Sequence, residues 1–321
     1  MSVTVICPLY KSKQYINSLH KSLLMQEDID LKTIKYILTD TGDGVDKIVN
    51  DLEKAELTII PISDFSHSLT REKAAMESDS DIIVFITQDI IIKDKKWLYK
   101  LCKPIYEGKC EASFSRQICD NQSIEKYTRI NNYPKESRIV SKKDTERLGI
   151  VTFFFSDAAS AVKRDIYVKL NGYDGKDLLT NEDMYLAYKL INNGYKIMYN
   201  SEAEVIHSHD YKFMELFKRY FDQGAFLSDN AYLTQYGASG SAFKLLKVVA
   251  VESLKDKNFK AFFNIIPNFA ARFLGDRIGK RYKKLPLEKV KKYSGNIGYW
   301  NRVENNLNKK RLFKLFSTLF Q

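Results

Sequence analysis

An open, doubly wound α/β sheet, mainly parallel and covered by helices on both faces, is the fold predicted by three features of the sequence. Short apolar runs alternate with amphipathic helical patterns through the first half of the chain, as where "VTVICPLY" is followed by "KQYINSLHKSLLM". The runs are continuously apolar instead of alternating with polar residues, which marks strands buried on both faces. Polar and acidic residues gather where the runs end, and open parallel sheets take their ligands at the carboxyl ends of the strands.

The elements follow in order. Residues 3–10 form a first strand, and 13–25 a helix with Tyr15, Ile16, Leu19, Leu23 and Leu24 on one side. The apolar run 34–40 is a second strand, "KIVNDLEKA" a helix, "LTIIPI" a third strand, "SLTREKAAMES" a helix and "DIIVFIT" a fourth strand. Beyond Trp97, "EASFSRQI" and "GIVTFFFSDAASAVKRDIYVKL" supply strands and a helix of the second half of the sheet. Residues 181–192 are a helix, "KIMYNSEAEVIHSH" a strand pair, and the chain from Lys212 onward is mainly helical. Two regions result: a catalytic domain over 1–210 and a helical region over 211–321.

Composition narrows the class. The 321 residues are 44% hydrophobic and 28% charged, enough for one large globular domain with an appendage and unlike a disordered chain. Four cysteines (Cys7, Cys102, Cys110, Cys119) occur without any CxxC pair, so neither a zinc knuckle nor a disulfide framework is expected. The opening "MSVTVICPLYKSK" lacks a basic segment followed by a long apolar one, and no signal peptide is expected. No window approaches the roughly 20 apolar residues of a membrane span, so the expectation is a soluble or peripherally bound protein.

Charge is unevenly spread. From Tyr211 to the end there are 22 Lys+Arg against 8 Asp+Glu, a net of +14, while residues 1–210 hold 29 against 32, a net of −3. One part does chemistry and another meets an anionic surface. The final stretch "LNKKRLFKLFSTLFQ" places Leu312, Phe313, Leu315, Phe316, Leu319 and Phe320 at helical spacing beside Lys309, Lys310, Arg311 and Lys314, and residues 259–284 repeat the theme. Such helices lie in a membrane interface, and a docking helix for a second copy of the chain has the same pattern. Nucleic acid is not an expected partner, because the strand ends carry carboxylates where its phosphates would approach.

Those strand ends carry the chemistry. Pro8 and Tyr10 close the first strand, Asp40 lies in "TDTGDG" after the second, and Gln88 and Asp89 end the fourth in "FITQDIII". An aromatic face, a carboxylate that accepts from a base N–H and a second carboxylate suit a nucleotide. An acidic residue beside a diphosphate is repulsive without a cation, and Mg²⁺ or Mn²⁺ removes the conflict.

Taken in order, "CPLY", the Asp40 loop, "FSHSLTREKAA", "FITQD", "TNED" and "VIHSHDYKFMELFKRYFDQG" resemble the family 2 inverting nucleotide-sugar glycosyltransferases, in their bacterial rhamnosyltransferase branch. The resemblance spans roughly residues 3–230 and implies a GT-A-type nucleotide-binding domain. It implies that Pro8, Tyr10, Asp40, Arg71, Gln88 and Asp89 bind the donor. It further implies that Asp89 with His207 or His209 holds the metal, that Asp183 is the general base, and that Trp97, Asp157 and Glu182 shape the acceptor or sugar pocket. The donor it implies is dTDP-rhamnose and the acceptor a lipid-linked glycan at the cytoplasmic face of the membrane; a UDP-hexose donor and a catalytically idle scaffold remain alternatives. The chain departs from the family pattern at Thr87, which replaces the first Asp of the metal motif, and at Ser68 and Leu69, which stand where glycines are usual.

Overall fold

The computed structural model describes residues 1–39, 42–237 and 241–319, without the side chains of 241, 242 and 310–319. Its centre is an eight-stranded sheet. The strands are β1 (Ser2–Leu9), β2 (Asp30–Thr39), β3 (Ala55–Ile60), β4 (Ile82–Ile86), β5 (Ala112–Ile118), β6 (Arg138–Val140), β7 (Ala159–Lys163) and β8 (Ile197–Ile206), in spatial order β3-β2-β1-β4-β7-β5-β8-β6. β3, β2, β1 and β4 run parallel, as do β5 and β8; β7 is antiparallel to both β4 and β5, and β6 to β8. The mainly parallel α/β architecture expected from the continuous apolar runs is therefore present.

Alternation along β1 shows how the sheet is covered. Val3, Val5, Cys7 and Leu9 face a layer containing the helices Ile16–Leu24 and Trp97–Tyr106, while Ile6 faces a second layer that includes the helix Glu182–Asn192. β4 is buried at all five positions, which is why its sequence shows no polar alternation.

Two expected elements differ. Residues 149–153 form a 3-10 helix and not a strand. Gly149 adopts φ +57, a left-handed conformation, and a Cβ there would collide with the carbonyl oxygens of Tyr236 and Gly237. The expected strand pair at 196–209 is the single strand β8, whose register against β5 jumps from Ser115↔Asn200 to Arg116↔Glu204, so that three residues loop out without a turn.

After Lys212 the chain is helical as expected, and it packs back onto the sheet domain. Leu179, just before the Glu182–Asn192 helix, shares a cluster with Leu216, Phe217 and Phe221 of the helix Phe213–Asp229 and with Trp300 of the helix Ile297–Leu319. Phe213–Asp229 and Ile265–Gly279 approach so closely that a Cβ on Gly224, Gly275 or Gly279 would strike the opposing backbone. Arg302 then clamps the loop before the site: its Nε and Nη2 donate to Asp177 at 2.7 and 3.0 Å, and its Nη1 to the carbonyl of Phe65 at 2.6 Å. Among the described residues, no helix is long and apolar enough to cross a membrane.

Candidate active site

At the carboxyl end of β4 the chain must turn without losing the sheet. Gln88 spends its side chain on this. Its Oε1 accepts from the Tyr10 N–H at 2.7 Å and its Nε2 donates to the Tyr10 carbonyl at 2.8 Å, tying the ends of β1 and β4 together. Gln88 therefore sets the Tyr10 backbone and has little left for a ligand, which departs from its expected role. The Tyr10 ring is 45% exposed beside the cleft, and Pro8 lies within β1 opposite Ile37. Asp40 lies outside the described residues.

The three isoleucines after Asp89 explain its placement. Ile90 and Ile92 are buried, and Ile91 exchanges both backbone hydrogen bonds with Ile206 at 2.8 and 3.0 Å. This bridge brings the turn after β4 against the end of β8. Asp89, His207 and His209 consequently converge, with one ligand atom from each lying within 4.8 Å of the others. The Asp89 Oδ2 is 3.5 Å from His207 Nε2, and the two histidine Nε2 atoms are 2.8 Å apart.

Proton placement decides what these atoms can do. The Oε1 of Gln117, which can only accept, lies 2.8 Å from His207 Nδ1 and also takes a hydrogen bond from Arg129. His207 therefore carries its proton on Nδ1 and turns a lone pair from Nε2 toward Asp89. Burial holds His207 below its ordinary pKa, and burial with the neighbouring His207 lowers His209 to about 4, so both rings are neutral near pH 7. Burial alone would raise the Asp89 carboxyl, but the neighbouring His207 holds it below the usual range, so it is ionised near pH 7. An ionised carboxylate and an imidazole lone pair facing each other are the donor set of a divalent cation, and Gln117 is the outer partner that such a histidine ligand requires. The residues fit a divalent cation.

The carboxylates of the second layer are arranged differently. Glu182 opens the Glu182–Asn192 helix and pairs with Arg71, whose Nη1 lies 2.9 Å from its Oε1 and whose guanidinium is 4% exposed. Arg71 thus serves Glu182 and does not present itself to a diphosphate, contrary to expectation; removing either partner would strand a buried charge at about 3–5 kcal/mol. Asp157 is buried as well, accepting from Ser160 at 2.8 Å and from the Tyr173 hydroxyl at 2.7 Å, and burial pushes its carboxyl up to about 6. Asp183, next in the chain, has one oxygen on the Met184 N–H at 2.7 Å and is only half-buried. Enclosure, then the charges of Glu182 and Asp157, raise its pKa well above the ordinary carboxylate value. It is the basic, reachable member of the group.

Trp97 is corrected. Its indole is fully buried in the first layer and donates to Ser115 at 3.0 Å, leaving no surface for a sugar. Gln117 and Arg129 were missed by sequence reasoning. The signal was available: Ser113, Ser115 and Gln117 alternate along "ASFSRQI" and are all buried, a polar face on a strand inside an apolar sheet.

Comparison with known proteins identifies the family and the fold. Residues 4–170 match the family described as Glycosyl transferase family 2. The chain is 33% identical over 322 residues to the O-antigen chain rhamnosyltransferase RfbN of Salmonella typhimurium (strain LT2), covering 97% of this chain and 99% of that protein. It is 35% identical over 259 residues to the O-antigen chain rhamnosyltransferase WbaN of Salmonella anatum, covering 79% and 82%. Among solved structures, the mannosyltransferase PcManGT of Pyrobaculum calidifontis, in complex with GDP-Man and Mn²⁺, superposes with a TM-score of 0.56 at 13% identity over 88% of this chain and 86% of that one. That likeness shows the fold.

Two outcomes follow from the protonation argument. Gln117→Leu, which removes the acceptor that fixes the His207 tautomer, is expected to weaken Mn²⁺ binding about 10- to 100-fold by calorimetry; unchanged affinity would sink the tautomer argument. Because the raised pKa of Asp183 means that ionising it opposes folding, stability is lost as pH rises from about 4 through its folded pKa. Asp183→Asn should therefore raise Tm at pH 7.5, and the gain should vanish near pH 4. A lower Tm at pH 7.5 would contradict the assignment.

Proposed function

The chain belongs to glycosyl transferase family 2, and from that premise we propose that it transfers L-rhamnose from dTDP-rhamnose, with inversion, onto a lipid-linked precursor of a cell-surface polysaccharide. The observation that carries the reading is the presence of two chemically distinct carboxylates, one after β4 and one at the start of the Glu182–Asn192 helix. Asp89 is held ionised in a lone-pair set with His207 and His209, while Asp183 is pushed toward basicity.

The roles follow from those states. Asp183 accepts the proton of an acceptor hydroxyl as its oxygen attacks the anomeric carbon. A new C–O bond forms on one face while the bond from the anomeric carbon to the diphosphate oxygen breaks on the other, which inverts the centre. Asp89, His207 and His209 would hold a divalent cation, which when bound stabilises the negative charge on the departing diphosphate. Glu182 pairs with Arg71, and its charge beside Asp183 makes that carboxyl more basic. Tyr10 offers its exposed ring to the nucleotide base. The choice of rhamnose is supported by the names of the two Salmonella relatives, and a UDP-hexose is the competing donor.

A membrane location is proposed for the helical region. Phe243, Phe259, Phe263, Ile266 and Phe273 are each more than half exposed, at 76%, 58%, 72%, 77% and 61%. Lys244, Lys247, Lys260 and Arg277 accompany them in sequence, so an apolar surface with basic flanks is offered to anionic lipid. The terminal stretch singled out from the sequence, residues 312–320, lies where side chains are not described.

Three measurements test the reading. Thermal shift with dTDP should exceed that with UDP at equal concentration in the presence of Mn²⁺, since a ligand bound by the folded state alone raises Tm; a larger UDP shift would favour the hexose donor. Asp183→Asn should lose at least about 100-fold in transfer rate while binding dTDP normally, and transfer that persists would remove Asp183 as base. Vesicles containing anionic lipid should float the protein, and Phe263→Asp with Ile266→Asp should abolish this; undiminished flotation would place the contact elsewhere.

A further inference from the structure

A cavity of about 270 Å³ lies between the loop preceding the Glu182–Asn192 helix and the C-terminal helices, with Phe65, His67, Thr180, Tyr211, Arg219 and Asn296 among its walls. We propose that it is the subsite for the acceptor, and that its ligand is the hydroxyl-bearing ring of a saccharide. The inference rests on the glycosyl-transfer reading above and adds to it the place and chemistry of the second substrate.

Position is the first argument. Thr180 is three residues before Asp183, and the Tyr211 ring stacks on His209 with centroids 4.9 Å apart at 25°. The cavity therefore adjoins the proposed metal set through Tyr211, and its wall includes the segment that leads to the base. Among the described residues, none from the ends of β1 or β4 lines it, so it lies apart from Tyr10 and Asp89, while Phe65 and His67 enter from the segment after β3.

Chemistry is the second argument. Phe65 and Tyr211 supply aromatic surface for the C–H face of a sugar ring. Among the described residues, the ring nitrogens of His67 and the hydroxyl of Thr180 make no hydrogen bond, and the guanidinium of Arg219 has no carboxylate partner, its one hydrogen bond being to the Tyr211 hydroxyl at 3.2 Å. Polar groups without partners beside aromatic rings match a ring with hydroxyls at its edge and C–H bonds on its faces. The volume is near the lower bound of roughly 300 Å³ for small-molecule pockets, which suits a single ring.

Tyr211, Arg219 and Asn296 lie beyond the residues 4–170 that match the family, and Arg302 and Asn296 hold these helices to the loop that carries Thr180, Asn296 through a 3.0 Å bond to the Leu179 carbonyl.

The test uses saturation-transfer NMR on the full chain with the methyl glycosides of galactose, glucose, mannose and rhamnose, in the presence of Mg²⁺ and dTDP. At least one glycoside should give a signal in the unaltered protein that persists under saturating dTDP. Thr180→Phe, which fills the cavity, should reduce that signal at least tenfold, and His67→Ala at least threefold, with dTDP affinity retained. His67→Ala decides the matter should Thr180→Phe fail to fold. A signal unchanged in the folded variants, a signal displaced by dTDP, or no binding of any glycoside would overturn the proposal. Failure of dTDP and UDP alike to bind would instead count against the transfer reading itself.

Discussion

The site depends on acceptors that face one another. An ionised carboxylate at Asp89 and the neutral imidazoles of His207 and His209 are drawn together by backbone pairing between Ile91 and Ile206. Bringing lone pairs and a negative charge to close quarters is costly unless a cation joins them. The sheet supplies that cost through a buried β4 and the flanking Ile90 and Ile92, so the geometry of the cleft is stored in the packing of the strands.

Asp183 shows the same tension in another form. Three carboxylates, Asp157, Glu182 and Asp183, occupy one region with the buried cation of Arg71 among them. Glu182 takes the ion pair and Asp157 takes hydroxyl donors, so each is satisfied locally. Asp183 is left with one backbone N–H and the repulsion of its neighbours, which makes it a better base and a poorer contributor to stability. The C-terminal helices then restrain the loop in front of it through Arg302 and Asp177.

Much of this was legible in the sequence because it follows from periodicity. Continuous apolar runs gave away the parallel strands, and polar residues at the ends of those runs pointed to the cleft. The pairing of Asp89 with the two histidines came from motif order, and the structure brings those three residues together. What could not be read was set by contacts distant in sequence. Arg71 looked like a ligand-binding cation until Glu182, 111 residues away, was seen to engage it. The resemblance implies a sugar-pocket role for Trp97, yet its indole is buried and donates to Ser115. The 3-10 segment at 149–153 was hidden because its cause, a close carbonyl from Gly237, lies in another part of the chain.

The measurement that bears most directly on the central claim is anomalous X-ray scattering from crystals of the protein soaked with Mn²⁺ and dTDP. The account predicts one manganese peak within about 2.0–2.3 Å of the Asp89 carboxylate and at least one histidine Nε2, with the diphosphate completing its coordination on the side nearer Asp183. A manganese peak that touches neither His207 nor His209, or diphosphate bound away from Asp89, would contradict it.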